Sequence, residues 1–469
     1  MKSWRYWRRS HYRLGFSVLG VGLSLAFLVV FGTGKSTLAA GIEFHGDYSA
    51  WQKLDWKSGN LENLHNDLSL EMRVRPARGV ELYWRTFSFY EHAGTSGTNI
   101  EQFHATLDTE NFDVRVFSRE RPNPTDDPLH IFHPNRWGSS ETNFTGTEVQ
   151  YTHAGWKLSG SVVKLHPWGG QWAFNGRVET VFPIPTSPLK IGATYSSQVW
   201  SNLKDFRAGT GGRAGLAIDA AFTLGELSVV GEMATFRAGT KSVRGYYLNA
   251  TQPIGKAQVQ ATYRSFPKEI KTVFDNALGD PAVLTGGRLT RVAVGYPLAD
   301  QVNGNLAVQT FVTEDTTTRT YEAGIEINRA DLMSPALALT QERVEPGESG
   351  GEQKTTTTVH AELNLPFAAF EVAKLTADRS STIVAGAAKP TTAWTLVPQF
   401  AYRLNDRVKI EGKAQFKDKL EGAPAVYGKV TYTVPAWVNS EAALELEYGD
   451  SNFDASKAQQ ILGRFRVKF

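Results

Sequence analysis

From Gly41 to the end of the chain, apolar and polar residues alternate with a period of two. Leu68, Leu70, Met72 and Val74 interleave with Asp67, Ser69, Glu71, Arg73 and Arg75. Ala257, Val259, Ala261 and Tyr263 interleave with Gln258, Gln260, Thr262 and Arg264, and Val408, Ile410, Gly412, Ala414 and Phe416 with Lys409, Glu411, Lys413 and Gln415. Such a pattern gives each strand one apolar and one polar face. The segments run about 10–13 residues, longer than most soluble strands and enough to cross a bilayer at a tilt. Their apolar faces accept many Ala, Gly, Tyr and Trp residues, which suits lipid better than an interlocking core, while the fully charged faces suit a wet lumen. The pattern predicts an all-β fold, a transmembrane antiparallel up-and-down β-barrel over residues 41–469 with about 24 strands, between 22 and 26. Pro398 falls inside one of these strands and weakens the ladder locally, because proline has no N–H to donate.

The connections alternate in length. Short ones fall at Arg78-Gly79, Thr109-Glu110, Ala154-Gly155, Leu224-Gly225, Gly255, Pro366 and Asn405-Asp406. Long ones fall at 53–63, 120–142, 201–211, 267–287, 344–352, 379–391 and 449–459. With both ends of the barrel chain on the periplasmic side, the long connections all lie outside and the short ones inside, the asymmetry of an outer-membrane barrel. Aromatic residues are expected in belts at the two interfaces, with Trp200, Phe266 and Tyr448 near outer strand ends and Phe182, Tyr296 and Trp437 near inner ones.

The N-terminal 40 residues break the pattern. Lys2, Arg5, Arg8, Arg9, Arg13 and Lys35 are their only charged side chains, and the stretch from Leu14 to Gly34 has none. Small residues follow at Ser36-Thr37-Leu38-Ala39-Ala40. A basic start, an apolar run and a small-residue cleavage site are the order of a secretory signal peptide, so 1–40 is expected to be removed after Ala39 or Ala40. The whole chain has 50 basic and 47 acidic residues, a formal charge of +3. Without this segment the sign reverses, which removes the case for nucleic-acid binding. The absence of cysteine excludes disulfides, zinc–thiolate sites, iron–sulfur clusters and thiol nucleophiles together.

The C-terminus reads Gly463-Arg464-Phe465-Arg466-Val467-Lys468-Phe469. A last strand with apolar residues at alternate positions and a terminal Phe resembles the assembly signal of Gram-negative outer-membrane proteins. With the leader and the loop asymmetry, nearly all of 41–469 looks like an outer-membrane β-barrel of porin-like type. The resemblance implies that Phe465, Val467 and Phe469 are read by the barrel-assembly machinery. It also implies a place in the cell outer membrane, surrounded by its lipid. Glu445 and Glu447 on the penultimate strand are expected to face Arg464, Arg466 and Lys468.

No plug domain precedes the first strand and no large periplasmic module is evident at either end, which favours a channel for passive or selective passage of small hydrophilic solutes or ions. A conduit exporting a polymer, or a structural or adhesive barrel with a filled lumen, are the alternatives. The connection 120–142 is the first candidate for a constriction, being long, proline-rich and amphipathic, with Asp126, Asp127, His130, His133 and Arg136 to set a field across the bore. The second is 267–287, with Lys268, Glu269, Lys271, Asp275 and Asp280. Arg73, Arg75, Arg85, Arg115 and Arg119 form a basic cluster on early lumenal faces that would favour anions. His130-x-x-His133 has no evident third ligand, so no metal is expected. No phosphate-binding loop, dinucleotide fingerprint or zinc-hydrolase motif occurs, so neither an enzymatic activity nor a cofactor is expected.

Overall fold

The computed structural model describes residues 41–55, 65–91, 96–133, 144–165, 172–185, 187–199, 212–270, 286–327, 334–347, 351–365, 370–418, 424–434, 441–453 and 460–468. The leader 1–40, Arg136, Trp200, Trp437, Phe469 and all of 271–285 lie outside them. The described residues form 24 strands. In chain order they are β1 (Gly41–Asp55), β2 (His65–Ala77), β3 (Val80–Glu91), β4 (Ser96–Asp108), β5 (Phe112–Ser118), β6 (Thr145–His153), β7 (Trp156–Lys164) and β8 (Trp172–Phe182). Then follow β9 (Leu189–Val199), β10 (Arg213–Leu224), β11 (Leu227–Ala238), β12 (Lys241–Ile254), β13 (Ala257–Phe266), β14 (Gly287–Ala299), β15 (Val302–Val312) and β16 (Thr316–Ile327). The last eight are β17 (Ser334–Pro346), β18 (Lys354–Asn364), β19 (Phe370–Val384), β20 (Thr391–Asn405), β21 (Val408–Lys417), β22 (Ala425–Val434), β23 (Glu441–Tyr448) and β24 (Gln460–Lys468).

Each strand pairs antiparallel with its sequence neighbours, and β1 pairs with β24, Asp47 opposite Lys468 and Trp51 opposite Arg464. Closure leaves no open edge, which a bilayer core requires because it offers no water to unpaired backbone groups. The outer face is apolar and exposed, with Leu70 on β2, Leu216 and Ile218 on β10, Leu306 and Val308 on β15 and Leu444 and Leu446 on β23. Tyr448, Phe182 and Tyr296 are exposed on the outer face near strand ends, as expected of interfacial aromatics. Phe266 is not one of them. It turns into the lumen and is buried there.

Connections after even-numbered strands are two to six residues long, while those after odd-numbered strands reach 26 residues at 119–144. The asymmetry has exceptions on the long-loop side, the two-residue turn 239–240, the three-residue turn 313–315 and the four-residue connection 92–95. The expected loop 379–391 is shorter, because β19 continues to Val384. Pro398 is a strand residue of β20. It faces Leu375 of β19, and the ladder to β21 skips from Leu396 to Gln399. Glu445 lies opposite Arg464 with its carboxylate 3.7 Å from the guanidinium, and Lys429 of β22 lies 3.0 Å from the same residue and 3.3 Å from Glu447.

Candidate functional site: a segment inside the lumen

The connection after β5 does not stay at the rim. Its proline-rich part folds into a compact knob, because Pro122, Pro124 and Pro128 restrict the backbone and the remaining polar groups close on one another. Thr125 N–H donates to the Phe132 carbonyl at 2.9 Å, and Phe132 N–H returns to Thr125 Oγ1 at 3.0 Å. Asp127 organises the tip, its carbonyl accepting His130 N–H at 3.0 Å and its Oδ2 accepting Ile131 N–H at 2.9 Å. This turn places His130 at φ 47°.

The knob is anchored to the inner wall at three places. Glu148 of β6 accepts Asn123 N–H at 2.5 Å and its side-chain amide at 3.1 Å. Asp126 lies 3.0 Å from Lys157, the second residue of β7 after the short turn 154–155. Leu129 N–H donates to Glu232 of β11 at 2.7 Å. A segment that enters from the long-loop end and reaches Lys157 has passed most of the barrel's depth.

Apolar packing holds it between these points. Leu129, Ile131 and Phe132 are buried in one cluster with wall residues that also face inward, including Phe117, Val163, Ala217, Ala234, Phe236 and Phe266. Small residues on β8, β10 and β11 make room for the large side chains of the knob. Ile270, just beyond β13, joins the same cluster, so the start of the second expected constriction also turns inward. Lys268 instead pairs with Glu314, which raises its pKa through that hydrogen bond and charge. Between knob and wall remains a recess of about 410 Å³ lined by Arg115, Asn123, Asp126, Glu148, Lys157, Ser159 and Arg177 among others. Burial would raise the Asp126 pKa, but the hydrogen bond and charge of Lys157, with Lys190 and Arg177 farther off, hold it below the ordinary carboxylate value.

The structure therefore brings Asp126, Asp127, His130 and His133 together inside the barrel. His130 and His133 have ring centroids 6.2 Å apart, and His130 Nδ1 donates to the Thr125 carbonyl at 2.7 Å. Among the described residues no metal-type cluster of three side chains forms. The early arginines do face inward, but as ion pairs. Arg75 lies 2.6 Å from Glu43 and 3.0 Å from Glu81, Arg73 3.4 Å from Glu81, and Arg85 2.9 Å from Glu101. Arg115 bridges Glu120 and Glu148 at 3.1 Å each. Arg119 leaves the group and donates to the Ile100 carbonyl at 2.6 Å.

Sequence reading missed the charge network beside the knob. Arg177 of β8 binds Asp219 of β10 through two bonds of 2.6 and 3.0 Å, Thr194 of β9 at 2.7 Å and Glu179 at 3.0 Å. Its one legible trace is Asp219 itself, a lone acid in the run Leu216-Ala217-Ile218-Asp219-Ala220-Ala221.

Comparison with protein-family models and with curated proteins gives no match. Solved structures do match in fold. A P pilus tip assembly intermediate of E. coli (PapC-PapD-PapK-PapG) superposes with a TM-score of 0.53 at 11% identity, over 93% of this chain and 61% of that one. The siderophore receptor PirA of Pseudomonas aeruginosa gives 0.49 at 9% identity over 91% and 80%, and the alcaligin receptor FauA of Bordetella pertussis 0.46 at 10% over 93% and 77%. Closed through β1 and β24, apolar outside and charged within, the chain has the fold of an outer-membrane β-barrel, and its place is the cell outer membrane.

Proposed function

We propose that this barrel is a transport channel that passes small hydrophilic solutes or ions, with its bore set by the knob at 121–133. The observation that carries this reading is the fastening of the knob deep in the lumen through Glu148, Lys157 and Glu232. Every one of these anchors lies on β6–β11, so among the described residues the knob narrows one side and leaves the passage eccentric, along β14–β24. The recess beside it is lined by paired charges and neutral hydroxyl and amide groups, a surface that wets readily and holds a passing solute weakly. β24, with Phe465 and Val467 alternating on the lipid side, is the strand we assign to the barrel-assembly machinery.

Single-channel recording of the refolded chain in a planar bilayer tests the reading. Stable steps that scale with salt support a channel. Silence from protein shown to be inserted overturns it and leaves a structural barrel with a filled lumen.

A further inference from the structure

Two acids hold the tip of the knob, and no base among the described residues pairs with either. Asp127 is 1% exposed and Glu232 5% exposed. Both aim at the amides of one turn, Glu232 Oε2 accepting from Leu129 and Asp127 Oδ2 from Ile131. Their second oxygens, Asp127 Oδ1 and Glu232 Oε1, are buried with no hydrogen-bond partner among the described residues. Of the charges around Glu232, that of Asp127 acts on it most strongly, followed by Asp219 of β10 and Arg177 of β8. Tyr247 of β12 faces it too, with Arg264 of β13 beside that ring.

Most nearby bases are engaged elsewhere, and His133, two residues past Ile131, keeps a buried Nδ1 with no hydrogen-bond partner among the described residues. Arg177 is bound to Asp219 and Glu179, Lys190 to Glu179, and Lys157 to Asp126. His130 spends its Nδ1 proton on Thr125. Two ionised carboxylates buried at one turn, with no counter-charge paired to them among the described residues, repel each other and lose their hydration. One proton between them removes both problems, because a carboxyl can donate to the free oxygen of its neighbour while each group still accepts from its backbone amide.

We propose that Asp127 and Glu232 form a binding site for a single shared proton, and that this proton fastens the knob inside the lumen. When alkaline solution takes it away, the proton passes to hydroxide and two buried carboxylates remain charged at the same turn. The turn 127–131 then withdraws from β11, taking Leu129, Ile131 and Phe132 off the wall. That the bore widens as a result rests on the channel reading; the fastening itself does not.

The chain has no native cysteine, so a single introduced one reports cleanly. A nitroxide on Pro128→Cys, at the tip, senses docking by its mobility. The expected spectrum is immobilised at neutral pH and mobile in alkaline solution. In the Glu232→Gln background it stays immobilised at both, since the amide accepts from Leu129 and donates to Asp127 with no proton to lose. Asp127→Asn gives the same result if Glu232→Gln fails to insert. A label mobile at neutral pH, immobilised at both in the parent, or released equally in the amide variants overturns the proposal. Conductance of the same chains separates the two readings: silence with a label that responds to alkali removes the channel and keeps the proton site.

Discussion

Arg177 on β8 and Asp219 on β10 bind each other over the strand between them, and Gly192 of β9 is what lets them meet. The two bonds span 2.6 and 3.0 Å, and a Cβ at position 192 would collide with both Arg177 Nη2 and Asp219 Oδ2. A buried ion pair that loses one partner leaves the other charge uncompensated, at a cost of about 3–5 kcal/mol. Arg177→Met alone and Gly192→Ala alone are therefore expected to lower unfolding stability in detergent, whereas Arg177→Met with Asp219→Leu recovers most of the loss. A double variant no more stable than Arg177→Met would show that the pair's charge balance is not what matters.

Asp126 gives the knob a second, acid-sensitive hold. Its carboxyl titrates below the ordinary value because Lys157 outweighs burial. A depressed carboxylate stabilises the docked state above its ordinary pKa and loses that contribution as pH falls through the lowered one. Acidification below about pH 4 is thus expected to increase hydrogen exchange in 121–133 beyond the chemical rate change. Lys157→Met should remove that increment. An equal increment in the variant would mean that Asp126 is not the group responsible.

The fold was legible where one face must meet lipid. β13 alternates cleanly from Ala257 to Tyr263, because each outward residue is apolar for a physical reason. The upper part of β19 was not legible. Asp378-Arg379-Ser380-Ser381-Thr382 continues the ladder to Val384, yet it is polar on both faces, so the period of two vanishes while the hydrogen bonds persist. The knob could be picked out by its prolines and its mixture of Leu, Ile and Phe with charges. Its anchors could not, since Leu129 and Glu232 are 103 residues apart and nothing local marks their contact. The arginine cluster was visible but its meaning was not. Cross-strand register decides that Arg75 lies between Glu43 and Glu81, and register is not a property of any single strand.

Phe266 lies over Gly245 so closely that a Cβ there would overlap its ring. Phe266 in turn packs against Phe236 at a tilt of 48°, ring centroids 6.1 Å apart, and both belong to the patch that receives the knob. Gly245→Ala forces this patch to rearrange, an overpacking cost of about 1–3 kcal/mol. Phe132→Ala empties a fully buried site from the other side, costing about 3–5 kcal/mol of docking energy. Both variants are expected to keep the barrel and to raise protease cleavage within 121–133. Cleavage unchanged from the parent in Phe132→Ala would mean the apolar contact does not hold the knob.

Because the lumenal arginines are matched by acids, the bore is expected to be weakly selective, and the direction of selectivity should be adjustable. Glu43→Gln with Glu81→Gln frees Arg73 and Arg75 at the short-turn end. The reversal potential in a salt gradient should then move toward the anion value, most clearly at low ionic strength, where screening is least. A shift toward cations, or none in an otherwise normal channel, would mean that ions do not pass near these arginines.

The assignment of faces can be tested at two adjacent residues. Val308 of β15 is half exposed on the outer face, opposite Val292 and Tyr321, while Gln309 points into the lumen beside Arg291 and Thr320. Both sit near the middle of the strand, at almost the same depth. Arginine on the lipid face near the midplane costs about 2–4 kcal/mol, whereas an added lumenal charge remains in water and costs little. Val308→Arg is expected to lower the folded fraction in bilayers across a urea series, and Gln309→Arg to leave it near the parent value. Equal losses would show that the lumen at this level is dry, and a larger loss for Gln309→Arg would reverse the two faces.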